Sequence, residues 1–200
     1  MREGTRVWDH WTTPQWFVDL VRKVGPIGLD PCCNVASVTN ATIRAYEPSH
    51  APDYEVVNGL AMGWVTASGL VYVNPPYSRG QIGKWVGKMV DESSAGCEII
   101  ALLPARTGAA WCQLVIHGAE AVCFMNKRIR FDNPPPGEKN TSPRFDSMVA
   151  YWGPRREKFA AIFAAHGVIT GWSAVIPCCG GKVIQSAHAS HACLPTAPSG

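Results

Sequence analysis

Nowhere in its 200 residues does the chain hold an apolar run approaching the roughly 18 that cross a bilayer, which argues against a helical membrane span. Its opening residues, Met1-Arg2-Glu3-Gly4 leading to Trp8-Asp9-His10-Trp11, lack the apolar core of a secretory signal. The expectation is a soluble cytoplasmic protein with no membrane partner. Charge is sparse: 16% of residues are Asp, Glu, Lys or Arg, while 46% are apolar. That balance excludes wholesale disorder and suits one folded domain with a sizeable core. Neither sign dominates. The net charge of +3 is permissive of a nucleic-acid partner without pointing to one. Internal repeats are absent, and nothing in the sequence implies an obligate protein partner.

Zinc-binding spacing is also missing. Eight cysteines are present, but Cys178 and Cys179 adjoin each other instead of standing two residues apart. With His188, His191 and Cys193 they form a cluster of incidental ligand types, and no metal is expected. Without a secretory signal the thiols are expected to stay reduced, with Cys97, Cys112 and Cys123 packing as small hydrophobes.

What is there is an alternation of helical and strand-like segments. Residues 14 to 24 place Trp16 or Phe17, Leu20, Val21 and Val24 at helical spacing, with Thr13 as an N-cap and Pro14 at the first helical position. Ile27-Gly28-Leu29 reads as a buried strand ending at Asp30-Pro31, and residues 34 to 54 as a loop with at most one short helix. Strands follow at 69–73, 98–104, 121–124 and 148–152, with helices at 80–92, 108–117 and 155–165. Residues 132–144 form a proline-rich polar loop. The pattern predicts an α/β domain with a largely parallel sheet over residues 1–176, followed by a disordered tail at 177–200. In such folds ligands gather beyond the carboxyl ends of the strands, where both Asp30-Pro31 and Asn74-Pro75-Pro76-Tyr77 fall.

The second of these carries the most chemistry. Pro75 and Pro76 fix φ and remove two backbone donors, leaving carbonyl acceptors in a stiff turn. Asn74 adds a side-chain carbonyl, and Tyr77 a flat ring that can stack on another. The site suits a planar group with an exposed NH2, such as the exocyclic amine of a base or a carboxamide. Two acceptors gripping the amine hydrogens would favour its pyramidal form and aim the lone pair at an electrophile.

Asn-Pro-Pro-Tyr resembles the catalytic signature of amino-group methyltransferases, and the wider chain resembles the phage-type DNA N6-adenine methyltransferases. The matching stretches are Trp11–Trp16, Gly28–Pro31, Asn58-Gly59-Leu60 with Trp64, Tyr72–Trp85, Leu103–Thr107 with Trp111, Arg128–Phe131 and Ser147–Val149. They cover roughly residues 8 to 153 in the family's order. The resemblance implies a Rossmann-like S-adenosylmethionine-dependent methyltransferase fold with a mostly parallel central sheet. It implies that Asn74 and the Pro75 carbonyl accept hydrogen bonds from the adenine amine and that Tyr77 stacks on an adenine flipped out of double-stranded DNA. It places the cofactor on Trp11, Thr13, Pro14, Asp30, Pro31 and Asn58. Three features depart from the family pattern. A glycine-rich cofactor loop is missing, Asn58 stands where an Asp is common, and Thr107-Gly108 stands where Thr-Asp is common. Thr13 also reads as a helix cap, and Asp30 as the cap of the next turn.

For nucleic acid, the candidates are Lys127, Arg128 and Arg130 after a strand, Lys139 and Arg144 in the polar loop, and Arg106 within a matching stretch. Arg155, Arg156 and Lys158 read better as a solvated face. The eight tryptophans read mainly as core, with Trp11 and Trp111 the first candidates for base stacking. The same chemistry also serves methylation of RNA adenines or protein glutamines, and a non-catalytic DNA-binding domain is the remaining alternative.

Overall fold

A computed structural model describes residues 11–34, 36–46, 58–65, 68–77, 80–132 and 145–170. The elements are α1 (Gln15–Val24), β1 (Ile27–Cys33), β2 (Ile43–Tyr46), β3 (Leu70–Val73), α2 (Ile82–Ser94), β4 (Ile99–Pro104), α3 (Ala110–Gly118), β5 (Ala121–Met125), β6 (Ser147–Trp152), α4 (Arg156–Phe163) and β7 (Gly167–Thr170). Lys139, Arg144, most of the proline-rich loop, the cysteine- and histidine-rich stretch and the whole of 177–200 lie outside the described residues.

One seven-stranded sheet runs in the order β2-β1-β3-β4-β6-β5-β7. The β1–β2, β1–β3 and β3–β4 pairings are parallel; β4–β6, β5–β6 and β5–β7 are antiparallel. The expectation of a mostly parallel sheet is therefore corrected to a mixed one, parallel in its first half and antiparallel in its second. The physical reason lies in the β5–β6 connection, whose described residues contain no helix, so the chain turns back on the rim it has just reached. Traced through the pairings, β2, β1, β3, β4 and β5 share one direction while β6 and β7 oppose it.

Three local expectations are also revised. β1 continues through Asp30-Pro31 to Cys33; the β1–β2 register shifts between Asp30 and Cys33, where Pro31 has no N–H to donate. The 34–54 segment contains a strand, β2, whose four residues are too few to show a period. α1 is capped by Pro14 without a side-chain bond, and the Thr13 hydroxyl is used elsewhere.

The sheet carries helices on both faces, and residue parity sorts the core. Leu70, Tyr72, Ile100, Leu102, Cys123, Val149 and Tyr151 pack with Phe17, Phe159 and Phe163 of α1 and α4. Val71, Val73, Ile99, Ala101, Leu103, Met148 and Ala150 pack with Trp85, Met89 and Val115 of α2 and α3. Alternate strand residues serve opposite layers, so these strands are apolar almost without break. Cys97, Cys112 and Cys123 are buried among them as small hydrophobes.

A polar lock closes the rim where the parallel strands begin. The Arg155 guanidinium forks onto Glu98, and its Nη1 donates to the Val24 carbonyl at 3.0 Å. The Tyr151 hydroxyl donates to Glu98 and accepts from the Arg155 backbone N–H. This ties the end of α1 to the start of β4 and the end of β6.

Close approach of β1 and β3 depends on Gly28, where a Cβ would stand 2.0 Å from the Ser68 carbonyl oxygen. Gly28→Ala is expected to lower stability by about 1–3 kcal/mol in urea unfolding. Gly87→Ala, in α2 with open space around the added carbon, is expected to raise it by about 0.5–1 kcal/mol. Equal effects at the two positions would contradict this packing.

Candidate active site

β1 sits between β2 and β3, and the chain leaves β1 for β2 on one side and reaches β3 on the other. The carboxyl ends of β1 and β3 therefore flank a topological switch point, the place where open α/β sheets form a crevice. Asn74 follows directly from β3. α1 begins over the same rim, because Thr13, just ahead of it, reaches both strand β3 and the turn after it.

The contacts at this corner form one chain of hydrogen bonds. Thr13 Oγ1 lies 2.9 Å from the Tyr72 hydroxyl. Asn74 Nδ2 donates to Thr13 Oγ1 at 3.1 Å. The Tyr77 hydroxyl donates to Asn74 Oδ1 at 2.9 Å and to the Leu102 carbonyl at 3.1 Å. One proton serves the two acceptors of Tyr77, so Asn74 Oδ1 keeps a lone pair for a further donor. Burial pushes both tyrosine hydroxyls well above their ordinary range, so they stay protonated and act as donors. The Tyr77 ring meets Phe131 edge-on, with centroids 6.2 Å apart.

Beside Tyr77 opens a cavity of about 610 Å³, lined also by Ile82, Arg106, Trp111 and Phe145. Its walls are mostly apolar and aromatic. The Arg106 guanidinium lies over the Phe145 ring at 4.1 Å. A planar heterocycle of base size fits this volume and wall chemistry.

On the β1 side, Asp30 is 3% exposed. Its carboxylate accepts from the Thr39 hydroxyl at 2.8 Å, the Ser37 hydroxyl at 3.2 Å and the Cys32 N–H at 3.2 Å. Burial pushes the carboxyl up, against the opposing pull of these donors. Asp30 thus shapes the loop after β1 from within. Asn58 is exposed; its Oδ1 accepts the Leu60 N–H at 3.0 Å, closing its own turn. Gly59 presses that turn onto β1, since a Cβ there would lie 2.1 Å from the Pro31 carbonyl oxygen. Trp64 Nε1 donates to the Gly59 carbonyl, and the Trp64 N–H donates to buried Glu92. Burial alone would raise the Glu92 carboxyl; the Lys88 ammonium and the Trp64 N–H hold it below the usual range. Trp11 is half-buried, and its carbonyl accepts from Asn34 Nδ2 at 3.3 Å. Thr12 pairs with Asp132 through two backbone hydrogen bonds, which straps the segment before α1 across the rim.

Strand direction sorts the basic residues. Arg106 follows β4 and Lys127, Arg128 and Arg130 follow β5, so all four stand on the rim of Asn74. Lys127, Arg106 and Arg130 are exposed; Arg128 pairs with Asp146 at 2.8 Å. Arg155, Arg156 and Lys158 follow β6, which runs the other way, and stand on the opposite rim. The structure therefore gathers Thr13, Asn74, Tyr77, Arg106 and Trp111 near the cavity corner and separates them from the second basic cluster. Sequence reasoning took Tyr72 only as strand core and left Phe131, Phe145 and Glu92 unassigned. For Tyr72 a signal existed: it lies two residues before Asn74, hence on the same strand face.

The sequence matches the family model described as DNA N-6-adenine-methyltransferase (Dam) over residues 3–167. No curated protein matches the chain.

Asp30 generates a pH prediction. Its carboxyl is raised from an ordinary 3.8, so the folded state binds its proton more tightly than the unfolded chain does. That contribution is fully present below about pH 4 and is lost as pH rises through the raised value. Urea unfolding of the wild type and Asp30→Asn is expected to show the wild type losing ground to the variant as pH increases from 4. A widening wild-type advantage would mean that the hydrogen bonds outweigh the burial.

Proposed function

The chain belongs to the DNA N-6-adenine-methyltransferase (Dam) family, and on that premise we propose that it moves a methyl group from S-adenosylmethionine to the N6 amine of adenine within a specific sequence of double-stranded DNA. The observation that carries this reading is the Asn74 amide, held by Thr13 and by Tyr77, whose own side chain lines an apolar and aromatic cavity able to take a base.

In this reading the fold is a Rossmann-like methyltransferase domain, and residues 1–176 carry the whole reaction. The cofactor lies at the switch point between β1 and β3. The residues there are compatible with it: Gly59 lets the Asn58 turn pack directly on Pro31, and the buried Asp30 carboxylate is bonded within its own loop, so it sets no charge against the cofactor. Trp11, Asn34 and Asn58 are neutral, and the exposed Asn58 amide, whose Oδ1 closes its own turn, has an NH2 of the kind that donates to ribose hydroxyls. Trp11, Pro14, Pro31 and Asn58 would hold the cofactor, with Asp30 acting through the loop it orders. When bound, S-adenosylmethionine supplies a sulfonium methyl that is already electrophilic, so the protein mainly aligns the nucleophile.

The chain's own residues perform that alignment. Asn74 Oδ1 offers its remaining lone pair to one amine hydrogen, and the Pro75 carbonyl accepts the other. Pro75 and Pro76 keep the turn stiff, so this grip costs little reorganisation. Tyr77, Trp111 and Phe145 supply flat surfaces for an adenine extruded from the duplex, which loses stacking and pairing on leaving it. Arg106, Lys127 and Arg130, on the rim of Asn74, neutralise phosphates, and Lys139 and Arg144, which lie outside the described residues, are the further candidates for that role. Arg128 contributes less because Asp146 already offsets its charge.

Transfer of labelled methyl to DNA, RNA and protein in parallel is expected to label DNA adenine; label on protein alone would overturn the reading. Asn74→Ala is expected to lower kcat by about 100- to 1,000-fold while cofactor affinity stays within about twofold. A large loss of cofactor binding would contradict its assignment to the amine.

Salt-dependent DNA binding separates the rim cations. Lys127→Ala and Arg130→Ala are each expected to reduce the slope of log K against log salt by about 1. Arg128→Ala is expected to change it less, and Lys158→Ala not at all. A flattening with Lys158→Ala equal to that with Arg130→Ala would place DNA on the wrong rim.

A further inference from the structure

The hydrogen-bond chain behind Asn74 assigns a role to two residues that the amine itself would not touch. Thr13 is 7% exposed and Tyr72 1%. Their hydroxyls meet at 2.9 Å, and Thr13 Oγ1 also accepts from Asn74 Nδ2 at 3.1 Å. Tyr72 is the more deeply buried, so leaving its proton unpaired is the costlier choice; the favoured arrangement has Tyr72 donating to Thr13. Thr13 Oγ1 then accepts two hydrogen bonds, which uses both of its lone pairs. A group so committed has no lone pair left for a cofactor ammonium and keeps only its own O–H to donate.

We propose that Thr13, backed by Tyr72, is a positioning residue that fixes which end of the Asn74 side chain faces the target amine. An amide rotated by half a turn would present Nδ2, a donor, to an amine that is itself a donor. Thr13 prevents this by accepting from Nδ2, and Tyr77 reinforces it by donating to Oδ1. The sequence resemblance puts the Thr13-Pro14 pair on the cofactor; the geometry adds a contact from Thr13 Oγ1 to the target side, through Asn74. The inference rests on the methyl-transfer reading above.

Thr13→Val keeps the shape and removes both lone pairs, which leaves the Tyr72 O–H and an Asn74 N–H unpaired. Thr13→Ser keeps the oxygen. Tyr72→Phe removes only the backing donor. Steady-state transfer to DNA, cofactor affinity by calorimetry and thermal melting are measured for the wild type and all three. The expectation is a kcat loss of about 10- to 100-fold for Thr13→Val with the cofactor KM little changed, a smaller loss for Tyr72→Phe, and near wild-type turnover for Thr13→Ser. A raised cofactor KM at unchanged kcat would overturn the proposal and return Thr13 to the cofactor. Equal losses in the Ser and Val variants would also overturn it, because packing would then be the cause. Should Thr13→Val fail to melt cooperatively, unchanged kcat in Tyr72→Phe overturns it. A fully active Thr13→Val beside an active wild type removes this inference alone; a wild type inactive on DNA removes the underlying reading with it.

Discussion

The side chain of Asn74 is bonded at both ends, its nitrogen to Thr13 and its oxygen to Tyr77. Much else in the domain exists to keep those partners in register. Thr13 is carried by the start of α1, Asn74 by the end of β3, and the Tyr77 hydroxyl is pinned by a β4 carbonyl. Tyr72 closes the chain from inside the core, where its ring packs near Phe17. An isolated turn with two prolines would be stiff in its backbone yet free to rotate its amide. The hydrogen bonds to neighbouring elements remove that freedom, and they exist only while the core beneath α1 is intact.

Strand polarity supplies the second layer of organisation. Because β5 runs with β4, the residues after it join those after β3 and β4 on one rim. Because β6 runs against them, the stretch before it, with Phe145 and Asp146, reaches that rim as well. The opposite rim receives Arg155 and spends it on Glu98, Val24 and Tyr151. Two basic clusters of similar composition therefore do different work. One is available to an anionic polymer, while the core of the other fastens a helix to the sheet. That division follows from direction alone, before any electrostatic argument.

Two buried carboxylates, Asp30 and Glu92, shape the β1 side from within. Glu92 has the Lys88 ammonium beside it and stays ionised, bracing Trp64 and through it the Gly59 turn. Asp30 has only neutral donors, so burial raises its carboxyl. The contrast illustrates a general balance: neutral hydrogen bonds offset part of the desolvation of a carboxylate, whereas an adjacent cation reverses its sign. An amide at position 58 can close its turn through Oδ1 as a carboxylate would, which keeps the local shape while removing a charge.

Local pattern in the sequence determined the long elements and the reactive corner. Helical spacing marked α1 and α2, apolar runs marked β3, β4 and β6, and two prolines between an amide and an aromatic marked a stiff acceptor turn at a strand end. Such features depend on neighbours a few residues away, so they are legible in order. The two edge strands, β2 and β7, were not, because four residues at an edge show no period. Nor was the reversal of β6, which is a property of pairing between segments far apart in the chain. The tertiary structure alone decided that Thr13 reaches a residue 61 positions ahead instead of capping its own helix. It also turned Asp30 inward and sent the two basic clusters to opposite rims. Each of these turns on which partner a polar group finds after the backbone has closed, and hydrogen bonds and ion pairs carry no signature in the sequence until distance in space replaces distance along the chain.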